Sequence, residues 1–185
     1  MSNIDKPALF LDRDGVINRK LEGDYVRNWS EFEWLPGVEQ ALLELKKYFY
    51  PILVITNQQG IGKKIMSETD LQRLHLQVEK YLIQTHGNAA IHDFYYCPHL
   101  ASAACSCRKP ANGMFLQAGV DYPFIRYEKS WMVGDSWSDI EAARSLGIRT
   151  AFVGKDVVDA DLNVLSLQDF SKQVKNYIPS AAKPS

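Results

Sequence analysis

The stretch Ala8-Leu9-Phe10-Leu11-Asp12-Arg13-Asp14-Gly15 runs from four apolar residues directly into three charged ones and a glycine. An apolar run that stops so abruptly reads as a buried strand entering a polar loop. Asp12 and Asp14 stand two apart at this strand end, so alternation turns both side chains to one side, and Gly15 lets the backbone bend around them. One carboxylate of such a pair can attack an electrophile while the other manages a proton. Their mutual repulsion calls for a divalent cation, and hard oxygen ligands suit Mg²⁺.

The same pattern, an apolar strand with polar residues at its tip, recurs downstream. Ile52-Leu53-Val54-Ile55 ends at Thr56-Asn57, Phe94-Tyr95-Tyr96 runs into a Cys/His segment, Trp131-Met132-Val133 runs into Gly134-Asp135, and Thr150 to Val153 is a fifth strand. Between them lie helical repeats. Ala41, Leu42 and Leu45 follow the breaker Pro36-Gly37; Leu71, Leu74, Val78, Tyr81 and Leu82 follow a Ser67/Asp70 capping pair and stop at Gly87; Ile140, Ala143 and Leu146 follow Ser136 or Ser138 and stop at Gly147. Strands alternating with helices predict parallel βαβ units, an α/β sheet flanked by helices. Ligands bind beyond the carboxyl ends of such strands, so Asp12, Asp14, Thr56, Asn57 and Asp135 are expected to meet in one crevice.

The chain has 185 residues, 46% hydrophobic and 23% charged, enough for one α/β domain over 1–178 but not for a second large one; Pro179 to Ser185 reads as a flexible tail. With 21 basic and 22 acidic residues the net charge is −1, which provides no field for a nucleic-acid backbone or an anionic membrane. No segment approaches the ~18 consecutive apolar residues of a membrane span, and the first residues show no signal-like apolar region. A cytoplasmic monomer acting on a small molecule is the expectation.

All three cysteines fall between positions 97 and 107, as Cys97-Pro98-His99 and Cys105-Ser106-Cys107. Three thiolates and an imidazole complete a tetrahedral set, which predicts a structural Zn²⁺ with no position left for water. Cys107 directly precedes Arg108 and Lys109, so a pinned loop would present two basic side chains to the crevice. His75, His86 and His92 have no such company and read as ordinary helix or loop residues.

Four segments together resemble the haloacid dehalogenase (HAD) phosphatases, in that family's order: Leu9 to Val16, Ile55-Thr56-Asn57, Lys109 in Cys107-Arg108-Lys109-Pro110, and Val133-Gly134-Asp135 with Asp139 one turn on. Where this chain has Val16 the family more often has Thr. The resemblance implies a Rossmann-like HAD fold without a large cap domain and a phosphomonoesterase mechanism. In it Asp12 is the nucleophile that forms an aspartyl-phosphate, Asp14 is the acid and base, and Thr56 and Asn57 hold the phosphoryl group. Lys109 stabilises charge, and Asp12, the Asp14 carbonyl and Asp135 share Mg²⁺. Asp139 reads equally as a metal contact or as an acidic residue favoured at a helix start.

Gly23-Asp24-Tyr25-Val26, Thr56-Asn57-Gln58, Tyr96-Cys97-Pro98-His99 and Gly113-Met114 further resemble the D,D-heptose 1,7-bisphosphate 7-phosphatase branch. That branch implies a sugar bisphosphate substrate, with Arg108 recognising its second phosphate. The five residues between His99 and Cys105 match histidinol-phosphate phosphatases equally well, which keeps that substrate as the alternative. A polynucleotide 3′-phosphatase shares the chemistry but not the charge balance. A phospho-accepting signalling module needs a strand-end Asp but not the Cys/His set.

Overall fold

Leu9, Leu11, Ile52, Val54, Trp131 and Val133 pack into one buried cluster, while Ala8, Phe10, Leu53, Ile55 and Met132 pack into another. Each central strand thus sends alternate side chains to two apolar layers, as a parallel sheet covered on both faces requires. The computed structural model describes residues 3–178; the tail expected at 179–185 lies outside the described residues.

Six strands, β1 (Leu9–Leu11), β2 (Ile52–Asn57), β3 (Asp93–Cys97), β4 (Trp131–Gly134), β5 (Arg149–Val153) and β6 (Leu162–Val164), form one sheet in the order β3-β2-β1-β4-β5-β6. Every pairing is parallel. From β1 the chain steps outward through β2 to β3, then crosses back to β4 on the other side. The order therefore reverses between β1 and β4, and a crevice opens at their carboxyl ends. Leu11 is in register with both Val54 and Val133, so the three central strands finish level.

Helices α1 (Val38–Leu45), α2 (Glu68–His86) and α5 (Leu167–Gln173) cover the first face, and α3 (Gly113–Asp121) and α4 (Trp137–Arg144) the second. α2 starts at the expected box: Ser67 Oγ accepts from Asp70 N at 3.1 Å and Asp70 Oδ2 accepts from Ser67 N at 3.0 Å. It stops at Gly87, in the left-handed region at φ 75°. The elements α3, β6 and α5 go beyond the sequence expectation. They are short, and β6 has only three residues, too few to display a period. Among the described residues no additional domain covers the crevice, and no helix is long and apolar enough to cross a membrane.

Candidate active site

The backbone leaves β1 at Asp12, whose N–H donates to the Val133 carbonyl at 2.9 Å, and then turns: the Arg13 carbonyl accepts from Ile17 N at 2.8 Å and Asn18 N at 3.1 Å. Gly15 sits at φ +94°, and a Cβ there would collide with the Asp135 carboxylate. Only glycine allows both that conformation and that approach. Gly134, at the end of β4, serves only a close approach, since a Cβ on it would collide with Asp139.

Asp12, Asp135 and Asp139 bring one carboxylate oxygen each to within 4.8 Å of one another. Three acids so close require positive charge, and Lys109, 3% exposed, supplies it at 2.8 Å from Asp12 and 2.5 Å from Asp139. Burial raises Asp12 to about 7, against the pull of Lys109 and with help from Asp139 and Asp135. Burial would lower Lys109, but the carboxylates of Asp12 and Asp139 outweigh it and raise it above its ordinary range. Asp135 is raised by burial despite Lys20, whose Nζ donates to its Oδ2 at 2.8 Å.

Asp139 has two partners already. Its Oδ2 accepts from Ser136 N at 3.1 Å and Ser136 Oγ at 2.6 Å, capping α4, while its Oδ1 pairs with Lys109. Asp139 thus caps the helix start and holds the lysine.

Asp14 lies in the turn that follows β1 and lines the same cleft as Asp12. Its carboxylate accepts from Arg13 Nη2 at 2.9 and 3.0 Å, from Asn18 Nδ2 at 2.9 Å and from Gln58 Nε2 at 2.9 Å. Burial works against its ionisation, but the Arg13 charge and these bonds hold it below the usual carboxylate range.

Thr56, at the end of β2, is 1% exposed and accepts at Oγ1 from Gln58 Nε2 at 2.9 Å. Asn57 pairs both ends of its amide with the Lys109 backbone, at 3.1 Å each, and so fixes the lysine's approach. Asp12, Asp14, Thr56, Asn57, Arg108, Lys109 and Asp135 all line one cleft of about 390 Å³. The sequence gives Lys20, Arg13 and Asn18 no named role, and Gln58 only its place in Thr56-Asn57-Gln58. A lone lysine in a loop carries no signal, whereas a polar residue directly after a strand tip, such as Gln58, does.

The Cys/His segment closes on itself. Cys97 Sγ lies 3.5 Å from Cys105 Sγ, 3.2 Å from Cys107 Sγ and 3.6 Å from His99 Nδ1; His99 Nδ1 lies 3.2 Å from Cys107 Sγ, and the Cys105 and Cys107 sulfurs are 3.5 Å apart. A tetrahedron with Zn–S and Zn–N bonds of ordinary length has edges of about 3.5–3.8 Å; the separations here, 3.2 to 3.6 Å, bring the four groups close enough to hold such an ion.

A HAD-hydrolase-like family model matches residues 106–172. The chain is 46% identical over 139 residues to the D-glycero-alpha-D-manno-heptose-1,7-bisphosphate 7-phosphatase of Mycobacterium tuberculosis, covering 75% of this chain and 72% of that one. It is 35% identical to the D-glycero-beta-D-manno-heptose-1,7-bisphosphate 7-phosphatase of Escherichia coli K12, covering 91% and 94%. The D,D-heptose 1,7-bisphosphate phosphatase of B. bronchiseptica, crystallised with magnesium and phosphate, superposes with a TM-score of 0.82 at 25% identity, over 92% of this chain and 99% of that one. With the carboxylate cleft at the strand-order reversal and relatives of this likeness across most of its length, the chain is a HAD-type phosphatase and belongs to the family of the D-glycero-D-manno-heptose-1,7-bisphosphate 7-phosphatases.

Proposed function

We propose that this phosphatase removes the 7-phosphate of D-glycero-D-manno-heptose 1,7-bisphosphate through an aspartyl-phosphate on Asp12. The observation that carries the reading is the meeting of Asp12, Lys109, Thr56 and Asp135 in one cleft, from four separate segments. Asp12 attacks phosphorus, and the ester P–O bond breaks as Asp14 gives its proton to the departing alkoxide. Asp14 then takes a proton from water, whose oxygen attacks the acyl-phosphate. The P–O bond to Asp12 breaks and inorganic phosphate leaves.

Before substrate binds, the donors around Asp14 favour its base form. A dianionic phosphate arriving beside it opposes the Arg13 field and favours the protonated form needed for the first step. Lys109 and the Thr56 hydroxyl stabilise charge on the transferring group. Asp12, Asp135 and the Asp14 carbonyl would hold Mg²⁺, which keeps the nucleophile ionised and neutralises phosphoryl oxygens. Cys97, His99, Cys105 and Cys107 would hold a structural Zn²⁺ that fixes Arg108 at the cleft, where a guanidinium suits the substrate's remaining phosphate.

The test compares kcat/KM for both anomers of the heptose bisphosphate with that for histidinol phosphate. A preference of about 100-fold or more for a heptose anomer, with heptose 1-phosphate as product, is expected. Equal or better turnover of histidinol phosphate, the substrate compatible with the five-residue spacing before Cys105, would move the assignment there. Asp12→Asn should lower kcat by about four orders of magnitude or more while leaving the melting temperature nearly unchanged.

A further inference from the structure

The donors that hold Asp14 differ in origin. Arg13 and Asn18 are its near neighbours in sequence, so the turn after β1 places them. Gln58 comes from the end of β2. It is fully buried, and its Nε2 donates to Asp14 Oδ2 and to Thr56 Oγ1, at 2.9 Å each. An amide nitrogen carries two hydrogens, so one side chain serves both acceptors at once. Its backbone is anchored too: Gln58 N donates to the Cys97 carbonyl at 2.8 Å, which extends the β2–β3 pairing by one bond.

We propose that Gln58 is a positioning residue of the reaction, fixing the Asp14 carboxylate relative to the Thr56 hydroxyl so that the proton is delivered where the ester oxygen departs. The inference rests on the acid and base role given to Asp14 above. Without Gln58, Asp14 Oδ2 keeps only Arg13, and the Thr56 hydroxyl loses the donor that orients its lone pairs. Both would remain present but no longer indexed to each other, a misplacement that geometry-dependent proton transfer does not tolerate.

Two esters separate this role from plain packing. A sugar alkoxide must be protonated as it leaves, whereas p-nitrophenolate leaves as a stable anion; hydrolysis of the acyl-phosphate needs a base with either. Gln58→Met, which keeps an unbranched side chain in the buried space, should lower kcat for the heptose bisphosphate by about 100-fold with KM within about threefold. With p-nitrophenyl phosphate the same variant should release a first-turnover burst of p-nitrophenolate at the wild-type rate and then turn over slowly, with acid-stable phosphoenzyme accumulating. Gln58→Glu, which has the same shape but lacks the amide donor, is measured beside it, with thermal melts of both, so that a folding failure of one variant leaves the other to decide.

Asp14→Asn is the reference and should show the same split in more pronounced form. Equal loss of the first-turnover rate with both esters would make Gln58 part of the phosphoryl cradle through Thr56 and overturn the proposal. Unchanged turnover in both variants would overturn it as well. If Asp14→Asn itself retains turnover of the heptose bisphosphate, the acid and base reading of Asp14 fails, and this inference falls with it.

Discussion

The four groups of the Cys/His cluster come from residues 97–107, whereas the charged groups of the cleft come from positions as far apart as Asp12 and Asp139. The first can be closed by one loop. The second exists only while three parallel strands finish level and two glycines let the loops after them touch. The contrast shows what each region depends on: the thiol cluster on local conformation, the carboxylate cleft on the whole sheet and on one buried cation. They meet at Lys109, two residues beyond Cys107 and tied by its backbone to Asn57.

The sharpest way to break this contrast is to remove that cation. Lys109→Met leaves Asp12 and Asp139 facing each other without compensation in a buried site. In chelator-treated protein it should cost about 3–5 kcal/mol, read as a fall in Tm of roughly 10 °C. Adding Asp139→Asn should recover part of that loss, since a neutral amide no longer needs the lysine. A Tm unaffected by Lys109→Met would mean that the cleft does not depend on its cation.

Cys105→Ser should have a smaller effect and act on the other region. Zinc content should fall well below one ion per chain and Tm should drop by several degrees, with Mg²⁺ affinity unchanged. Metal analysis and magnesium titration check this; a parallel loss of Mg²⁺ affinity would show that the two regions are not separable.

An effect that vanishes near neutral pH concerns His75, which stacks on Phe94 with ring centroids 4.3 Å apart and whose Nε2 lies 3.4 Å from Arg13 Nη1. Burial, reinforced by the Arg13 charge, lowers it to about 3, so it is neutral in the fold. Unfolding raises its pKa toward about 6.5, so its contribution is fully present above that pH and is lost as the pH falls toward 3, at about 1.4 kcal/mol per pH unit. Urea unfolding of His75→Gln between about pH 6 and pH 4 should show a slope shallower by that amount. An unchanged slope would mean that acid sensitivity near the cleft lies with the carboxylates alone.

His75 also marks a limit of sequence reading. Nothing near it in the chain marks it as more than an ordinary helix residue; its partners Arg13 and Phe94 come from other elements. Lys20 is the same case, since its partner Asp135 lies beyond β4. Asp14 lines the cleft with Asp12, but strand alternation says nothing of the partners that hold it there, Arg13 and Asn18 from the turn after β1 and Gln58 from the end of β2.

The strand–helix alternation, the polar residues at the strand tips and the self-contained Cys/His set are legible in the residues alone, because a period of two or 3.6 residues and a ligand spacing are local properties of the chain. Only the tertiary structure decided that the order reverses between β1 and β4, that Asp139 is occupied by a helix cap and a lysine, and that Gln58 joins Asp14 to Thr56. Those facts depend on which strand ends become neighbours, and that is set by the packing of both apolar layers at once, not by any one segment.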